Sequence, residues 1–475
     1  MDNTHTTLDF KNKPGLFLAR ISQGVLACIL AFSLSCSFAP DIALADVRKA
    51  DIVLGETIDS RGLSVAQCPN IDAEYAIAMN GDGTIYFERN ATAPAQIASI
   101  TKIMTALVAI EAATPETQIL VSERAATVGE SSAYLETGDQ LDFDAALKAL
   151  MLSSGNDAAI AIAESIGAAL SGGSATGIEA EQVFVDRMNE KATELGLLDT
   201  VFSNPHGLDN DNFASDQHSC ALDVATIAKA AMQYSTFRDV VAMSEATIAL
   251  THADGSAGST YLESTNFLLG SYEGNIGIKT GHTNLAGFCF AGVSNRGDQD
   301  LYTVVLHAAD ESTRFGDTQS LCDWVYEHYI SYALAHSPQK TTTLINGQSI
   351  EVPIVAEVAH IDWIDKTIKA TLAEPSQEIK IFDLSGNISQ SVEYETVSGD
   401  VKVGDKVGTL TFKQRNKVIA TVDMISCEDI NAPSLFEGVG IWWDRLFRGF
   451  SGKATVAVNT LINETPLIST KQSTE

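Results

Sequence analysis

Three short motifs place residues that can carry out acyl transfer in a fixed order along the chain. They are Ser99-Ile-Thr-Lys102, Ser154-Gly-Asn156 and Lys279-Thr-Gly281. Residues three apart, such as a serine and the lysine that follows it here, share one face of a helix. Burial and a second nearby cation lower the pKa of a lysine, which can then take the proton of a serine hydroxyl. The first motif therefore indicates a nucleophilic serine with a lysine as its base.

The Ser99 motif is predicted to open a helix that runs to Ala113 and ends before Pro115. Apolar side chains wrap most of its circumference, so we expect the helix to be buried. Ser99 then lies at the helix start, where free backbone N–H groups can hold an oxyanion. The alternative interpretation is a helix-capping serine followed by a lysine whose ammonium reaches solvent.

The second motif is predicted to lie between two helices, because an amphipathic run stops at Ser154-Gly155 and another starts at Asn156 or Asp157. From such a loop the Ser154 hydroxyl could pass a proton between Lys102 and a leaving amine, and Asn156 could hold a substrate carbonyl. Taken alone, the motif also fits ordinary helix capping around the glycine.

The third motif lies on the first of two short apolar runs separated by a polar turn, which predicts a hairpin. Lys279 and Thr280 at a strand edge would offer a cation and a hydroxyl to a substrate carboxylate. Gly281 would let a peptide or lactam lie against the strand, and the His282 backbone N–H would be a second oxyanion donor. The alternative is an edge lysine that blocks strand aggregation.

Together the three motifs resemble those of the low-molecular-mass penicillin-binding proteins that act as serine-type D-alanyl-D-alanine carboxypeptidases. Residues 94–105, 188–208, 279–283 and 403–410 are similar to that family too, and the resemblance covers roughly residues 51–428. It implies an α+β fold: a penicillin-binding, β-lactamase-like domain with an antiparallel sheet flanked by helices, followed by a small all-β domain.

The resemblance also implies a role for each motif residue and no cofactor or metal. Ser99 would be the acylated nucleophile and Lys102 its base, with Ser154 and Asn156 as loop partners. The amides of Ser99 and His282 would form the oxyanion hole. Arg314, expected just before a helix over residues 319–330, would either reinforce carboxylate binding or lie at the surface. The residues implied to bind substrate are Lys279, Thr280, Gly281, His282 and Arg314.

The predicted activity is removal of the terminal D-alanine from peptidoglycan stem peptides, with β-lactam antibiotics as inhibitors. A serine β-lactamase shares the motifs, but the chain lacks a Glu-x-x-Leu-Asn deacylating motif. A catalytically silent peptidoglycan-binding protein is a further alternative, which the intact Ser99, Lys102 and Lys279 disfavour. The net charge of −31 argues against a nucleic-acid partner, because phosphates would be repelled.

The N-terminus has the features of a secretory signal peptide. Basic residues precede an apolar run over residues 24–39, and Ala43-Leu-Ala45 supplies a cleavage site. We therefore expect an exported protein that acts in the cell wall or periplasmic space. The predicted divisions are a signal peptide at 1–45, a catalytic domain at 46–337, a β domain at 338–429 and a tail at 430–475. The mature chain would keep five widely spaced cysteines, an odd number that leaves at least one free thiol.

The tail is predicted to associate with the outer face of the cytoplasmic membrane. Apolar side chains from Leu435 to Phe450, two tryptophans among them, fall on one face of a helix. Such a helix suits a membrane interface. The alternative is that this face packs on the β domain. Residues 451–475 are expected to be disordered or weakly structured.

Overall fold

The structure is a computed structural model that describes residues 48–114, 116–210, 213–297, 299–345 and 347–468. The predicted signal peptide, residues 1–45, lies outside the described residues. The chain divides into two compact units, the first ending at Cys322 and the second beginning at Asp323. Among the helices of the described ranges, none is both long and apolar enough to cross a membrane.

The strands of the first unit form two antiparallel sheets. They are β1 (Ile52–Val53), β2 (Glu56–Thr57), β3 (Tyr75–Asn80), β4 (Ile85–Arg89), β5 (Gln118–Leu120), β6 (Gln140–Asp142), β7 (Glu245–Thr251), β8 (Ala257–Glu263), β9 (Asn275–Thr283), β10 (Gly287–Asn295) and β11 (Asp300–Ala308). The larger sheet has seven strands in the order β2-β1-β4-β3-β11-β10-β9, and the smaller has the order β5-β6-β7-β8. The strand that carries the third motif, β9, is therefore an edge strand.

The helices of this part of the chain lie mostly between β4 and β9. They are α1 (Lys102–Ala112), α2 (Glu123–Ala126), α3 (Phe143–Met151), α4 (Asn156–Leu170), α5 (Ile178–Glu194), α6 (Ala221–Ala231), α7 (Ser235–Val241) and α8 (Glu311–Glu327), the last of which contains the division between the units. Residues 102–109 of α1 are all buried, and this helix contacts α3, α4, α5 and α6. The prediction of a buried helix after Ser99 is confirmed.

The nucleophile motif begins one turn before α1. A short 3₁₀ helix, Ala98–Thr101, carries Ser99 and runs into α1 at Lys102. The predicted helix start at Ser99 is therefore wrong by one turn. Ala98 has a φ of +48°, a left-handed conformation that cannot belong to an α-helix.

The helix at the end of the first unit begins earlier than predicted. It spans Glu311–Glu327 instead of residues 319–330, so Arg314 lies inside its first turn. Asp310 accepts hydrogen bonds from the Thr313 backbone N–H at 2.7 Å and from the Ser312 hydroxyl at 2.9 Å. A capping aspartate of this kind starts a helix, but the polar first turns hide the hydrophobic periodicity.

The second unit is built mainly of strands. They are β12 (Tyr329–Ala333), β13 (Lys340–Ile345), β14 (Gln348–Pro353), β15 (Ala356–Ala359), β16 (Thr367–Leu372), β17 (Glu378–Phe382), β18 (Ile388–Tyr394), β19 (Lys406–Gln414), β20 (Lys417–Ser426) and β21 (Thr460–Leu461). Six of them form an antiparallel sheet in the order β18-β19-β20-β16-β15-β21, around a core of valine, leucine and isoleucine side chains. The predicted fold class, an α+β domain followed by a β domain, is confirmed.

The prediction for the tail is partly confirmed and partly wrong. Helix α9 (Leu435–Phe450) forms over the predicted residues. The chain after it returns to the sheet, where β21 pairs with β15 and Asn463 is buried. The Asn463 side chain donates to the Leu334 carbonyl at 3.0 Å and accepts from the His336 N–H at 2.7 Å. The return segment is only a few residues long, too short to show a strand period in the sequence.

Asn463→Ala should destabilise the second unit. The substitution leaves the Leu334 carbonyl and the His336 N–H without their partner, and each buried unsatisfied group costs about 1–3 kcal/mol. Urea unfolding of the full chain, followed by tryptophan fluorescence, measures the loss. Asn459→Ala is the milder control, because it removes one hydrogen bond, from the Ala359 N–H. An unchanged midpoint for Asn463→Ala would contradict the role of the return segment.

Candidate active site

The first motif brings its serine and lysine into direct contact. The Lys102 Nζ lies 2.8 Å from the Ser99 Oγ, and the lysine side chain is fully buried while Ser99 is half-buried. Burial, and next the positive charge of Lys279, hold the pKa of Lys102 well below its usual value, and the negative charge of Asp157 opposes the shift only in part. A lowered pKa favours the neutral form of the amine, which is the form that can accept the serine proton.

Two further contacts fix the direction of the Lys102 amine. Its Nζ lies 2.7 Å from the Asn156 Oδ1 and 2.8 Å from the His206 backbone carbonyl oxygen. Both of these oxygens can only accept hydrogen bonds. When the amine is neutral it has two N–H donors and one lone pair. The two carbonyl groups then take both donors, and the lone pair is left for the Ser99 hydroxyl.

The second motif lies between α3 and α4, as predicted, and only one of its two polar residues lines the cleft. Ser154, with a left-handed φ of +58°, lines the same cleft as Ser99. Asn156 is buried, accepts from Lys102 and donates through Nδ2 to the Gly129 carbonyl at 3.0 Å. The cited bonds use the Asn156 Oδ1 and one of the two N–H groups of Nδ2, so Asn156 is a partner of the base, and its contact with a substrate carbonyl through the second N–H stays a prediction.

The residue after this motif, Asp157, forms hydrogen bonds with the loop that carries two other cleft residues. Asp157, buried at the N-terminus of α4, accepts from the Ser132 hydroxyl at 2.6 Å and from the Ala133 and Leu135 backbone N–H groups at 3.0 and 3.1 Å. A carboxylate in this position is also favoured by the helix dipole. The loop that carries the cleft residues Glu130 and Ser131 is fixed in this way.

The third motif supplies a second buried lysine on the edge strand β9. Lys279 is 1% exposed, and its Nζ donates to the Thr280 carbonyl at 2.9 Å. Burial first, and then the positive charge of Arg314, lowers the pKa of Lys279 to about 7. The Thr280 hydroxyl lies 2.6 Å from the Thr265 hydroxyl. Thr280 lines the cleft and Lys279 is buried next to it in the strand, so the binding of a carboxylate by both stays a prediction.

Gly281 allows β9 to approach the nucleophile. A Cβ at this position would lie 2.7 Å from the Ile97 carbonyl oxygen and 3.2 Å from the Ser99 backbone nitrogen. Contacts that short exclude any side chain, so the glycine is needed for the strand to pass the Ser99 turn. His282 follows on the same strand, and its ring packs on Phe288 with 4.2 Å between ring centroids.

Arg314 is buried behind the strand. Its Nη1 donates to the Gly281 carbonyl at 3.3 Å, and its Nη2 pairs with the Glu311 carboxylate at 2.7 Å. The guanidinium also lies over the rings of Phe288 and Phe315, at 5.5 and 4.8 Å from their centroids. At 4% exposure it has no surface role, so the alternative considered for it is wrong.

These residues meet at one cleft of about 480 Å³. The predicted site residues that line it are Ser99, Ser154, Thr280, Gly281, His282 and Arg314. The other three, Lys102, Asn156 and Lys279, do not line it. The arrangement places a serine hydroxyl beside a lysine amine of lowered pKa, with Lys279 and Arg314 near the same edge strand.

One contributor to the site is absent from the sequence prediction. The His206 carbonyl lies on a turn, residues 204–208, that packs against the nucleophile segment. A Cβ at Gly207, whose φ is +90°, would lie 1.9 Å from the Ala98 carbonyl oxygen. The Asn-Pro-His-Gly sequence predicts a turn. The sequence does not show that the His206 backbone carbonyl contacts Lys102, because every residue type has such a carbonyl.

Comparison with known proteins gives one consistent result. A family model described as D-alanyl-D-alanine carboxypeptidase (peptidase S11) matches residues 63–310. The D-alanyl-D-alanine carboxypeptidase DacF of Bacillus subtilis is 28% identical over 370 residues, which are 76% of this chain and 86% of that protein. The crystal structure of the Streptomyces K15 DD-transpeptidase is 31% identical, with a TM-score of 0.51, and the match covers 55% of this chain and 98% of that one.

A second solved structure extends the likeness in fold beyond the first unit. It is the D-alanyl-D-alanine carboxypeptidase DacD from Francisella tularensis, at 22% identity and a TM-score of 0.51. The match covers 77% of this chain and 95% of that one. At this identity it shows the fold alone.

Gly281→Ala should lower both stability and the reactivity of the serine. The new Cβ would push β9 away from the Ser99 turn, and overpacking of this kind costs about 1–3 kcal/mol. Thermal unfolding and the rate of labelling by a fluorescent penicillin measure the two effects. Gly316→Ala in α8 is the control, because nothing lies within 4 Å of a Cβ there. Wild-type stability and labelling for Gly281→Ala would contradict the close approach.

Proposed function

Because the chain belongs to the family of D-alanyl-D-alanine carboxypeptidases, we propose that Ser99 is the nucleophile with which it releases the terminal D-alanine of peptidoglycan stem peptides. The protein is a serine-type carboxypeptidase, a hydrolase. The observation that carries the assignment of the nucleophile is the 2.8 Å contact between the Ser99 Oγ and the buried Nζ of Lys102. A hydroxyl is a weak nucleophile until a base removes its proton.

Acylation begins when the Ser99 Oγ attacks the carbonyl carbon of the penultimate D-alanine. Its proton passes to the Lys102 amine, and the backbone N–H groups of Ser99 and His282 hold the oxyanion. The Ser154 hydroxyl then relays a proton to the leaving amine, and the C–N bond breaks. D-Alanine departs, and the rest of the peptide stays as an ester on Ser99.

Deacylation reverses the same proton transfers with water as the nucleophile. Lys102 takes a proton from the water, the C–O bond to Ser99 breaks, and the serine oxygen recovers its proton. The substrate carboxylate lies meanwhile against Lys279 and Thr280, with the Arg314 guanidinium behind them. A β-lactam amide is opened by the same attack, but its leaving amine remains tethered to the acyl group.

Ser99→Ala should abolish acylation by a fluorescent penicillin and release of D-alanine from a diacyl-D-Ala-D-Ala peptide, while the protein stays folded. Ser337→Ala, in the chain's other S-x-x-K sequence, is the matched control and should behave as wild type. Retained release of D-alanine by Ser99→Ala would refute this nucleophile. In the wild-type protein, rapid turnover of penicillin would favour a β-lactamase, and no labelling would favour a silent binding protein.

We also propose that the protein is exported by cleavage after Ala45 and that α9 lies on the outer face of the cytoplasmic membrane. Action on the cell wall outside the cytoplasm suits an enzyme of this family. Support for the membrane comes from the exposure of the apolar face, which reaches 92% at Phe436. The opposite side of the helix is held through Arg445, which donates to the backbone carbonyls of Ile361 and Trp363.

These contacts bear on the alternative that the apolar face packs on the β domain. The helix borders the 363–365 segment through Glu437, Gly440, Ile441, Asp444 and Arg448, and the large side chains of its apolar face remain exposed. Exposed apolar surface of this extent is unusual for a soluble protein and is typical of an interaction surface. The face carries two adjacent tryptophans, Trp442 and Trp443, a residue type that favours the headgroup region of a bilayer.

Replacing Trp442 and Trp443 by serine should release the full mature chain from phosphatidylcholine liposomes in a sedimentation assay. Raising the salt concentration should do little, because binding depends on apolar burial and the chain carries a net charge of −31. Leu198→Ser is the control, since that leucine is 91% exposed but lies in the first unit. A wild-type protein that ignores liposomes, or leaves them on salt addition alone, would contradict the proposal.

A further inference from the structure

The base is held by a group that no side-chain substitution can remove directly. Neutral Lys102 donates one N–H to the Asn156 side chain and the other to the His206 backbone carbonyl, at 2.7 and 2.8 Å. If the second acceptor moved away, the amine could rotate and its lone pair would no longer be fixed on Ser99. The orientation of the His206 carbonyl therefore matters for acylation.

A single asparagine closes the turn that presents this carbonyl. The Asn204 Oδ1 accepts from the backbone N–H groups of His206 at 3.2 Å and Gly207 at 2.6 Å. Its Nδ2 donates to the Leu208 carbonyl at 2.9 Å. Asn204 is 4% exposed, so these bonds do not compete with bulk water. The side chain thus replaces a regular hydrogen-bond ladder within residues 204–208.

The 204–208 turn contacts α1 at one other point and the 3₁₀ helix before α1 at a second. Thr105, one turn after Lys102 on α1, donates from its hydroxyl to the Pro205 carbonyl at 2.6 Å. Gly207 packs against the Ala98 carbonyl on the other side. The position of the His206 carbonyl relative to Lys102 is therefore set by Asn204 within the turn and by Thr105 and Gly207 outside it.

We propose that Asn204 is a positioning residue for acylation, which acts by holding the His206 carbonyl against Lys102 so that the amine lone pair faces Ser99. The proposal rests on the function proposed above. Asn204 itself touches neither the nucleophile nor the base, and its effect passes through the backbone of the turn. The class of reaction is unchanged, and what Asn204 contributes is the orientation of the base and the stability of its protonated form.

The carbonyl has two consequences for the chemistry. It fixes the lone pair before proton transfer, and its negative end stabilises the ammonium that Lys102 becomes afterwards. Loss of this acceptor disfavours the ammonium and lowers the pKa of Lys102 further. Acylation needs the neutral amine, so the acid limb of its pH profile moves to lower pH. The maximal rate falls because the lone pair is no longer held on the serine.

The other groups that face Lys102 are the same in the wild type and in both asparagine variants. Lys279 on β9, whose own pKa is lowered to about 7, lowers the pKa of Lys102, and Asp157 on α4 acts in the opposite direction. Burial first, and then the positive charges that Lys102 and Arg124 carry when protonated, hold the pKa of the His206 imidazole well below its usual value. A change in the acid limb on altering Asn204 therefore reports on the carbonyl contact.

The test compares Asn204→Ala with Asn189→Ala in the full mature chain. Asn189 braces backbone in the same way, since its Oδ1 accepts from the Phe202 N–H at 2.9 Å and its Nδ2 donates to the Phe202 carbonyl at 2.8 Å. Its side-chain hydrogen bonds go to Val185 and Phe202 and not to the 204–208 turn. The measurement is the rate of acylation by a fluorescent penicillin against pH, at limiting and saturating concentrations.

For Asn204→Ala we expect a loss of about 10- to 100-fold in the saturating acylation rate, in the range of a misplaced catalytic base. The concentration for half-maximal rate should change only a few-fold, and the acid limb should move to lower pH. Asn189→Ala should lose stability but keep the wild-type profile. A folded Asn204→Ala whose profile matches that of Asn189→Ala would overturn the proposal.

Thr105→Val provides a second variant in case Asn204→Ala does not fold. Valine has nearly the shape of threonine and removes the 2.6 Å bond to the Pro205 carbonyl together with the long, 3.5 Å contact with the Thr101 carbonyl. A smaller rate loss with a shift of the acid limb in the same direction supports the proposal, and a wild-type profile opposes it. If the wild-type protein is not acylated at all, the proposed function fails, an outcome distinct from the failure of this inference.

Discussion

The burial of the Lys102 amine, which lowers its pKa, is the constraint on which the site depends. A lysine inside a helix that is packed on all sides loses its hydration, and a second lysine close by adds repulsion. Two carbonyl oxygens and one hydroxyl satisfy the amine without a carboxylate in direct contact. Because each partner is on a different segment of the chain, the protonation state of the base depends on the packing of all three.

Glycine and strained backbone let these segments come close enough. Ala98 and Ser154 adopt left-handed conformations, and Gly281 leaves the space that a side chain would take from the Ser99 turn. Non-glycine residues in such conformations persist only where the surrounding structure holds them. The buried network around Lys102 and the Asp157 brace supply that support, so rigidity and base strength have the same origin.

The sequence predicts the parts of this site that are side chains and misses the parts that are backbone. Ser99, Lys102 and Lys279 follow from residue type and spacing, and α9 follows from its periodicity. The His206 carbonyl leaves no signal, because any residue has one. The early start of α8 and the short strand β21 leave no sequence signal for a related reason. The start of α8 is set by the Asp310 cap, and β21 pairs through only two residues, so neither segment is long enough to show a hydrophobic period. The structural role of Asn463 depends on contacts with residues more than a hundred positions away, including Leu334.

The return of the chain to the sheet changes what α9 can do. A helix at the end of a chain can swing on its linker, but α9 is followed by β21, which pairs with β15. Arg445, which lies within α9, donates hydrogen bonds to the backbone carbonyls of Ile361 and Trp363 and so holds the helix to the 361–363 loop. The apolar face is therefore presented in one orientation by the second unit. Docking of that face on a bilayer would cost little conformational entropy, because the helix is formed and placed before the membrane is reached.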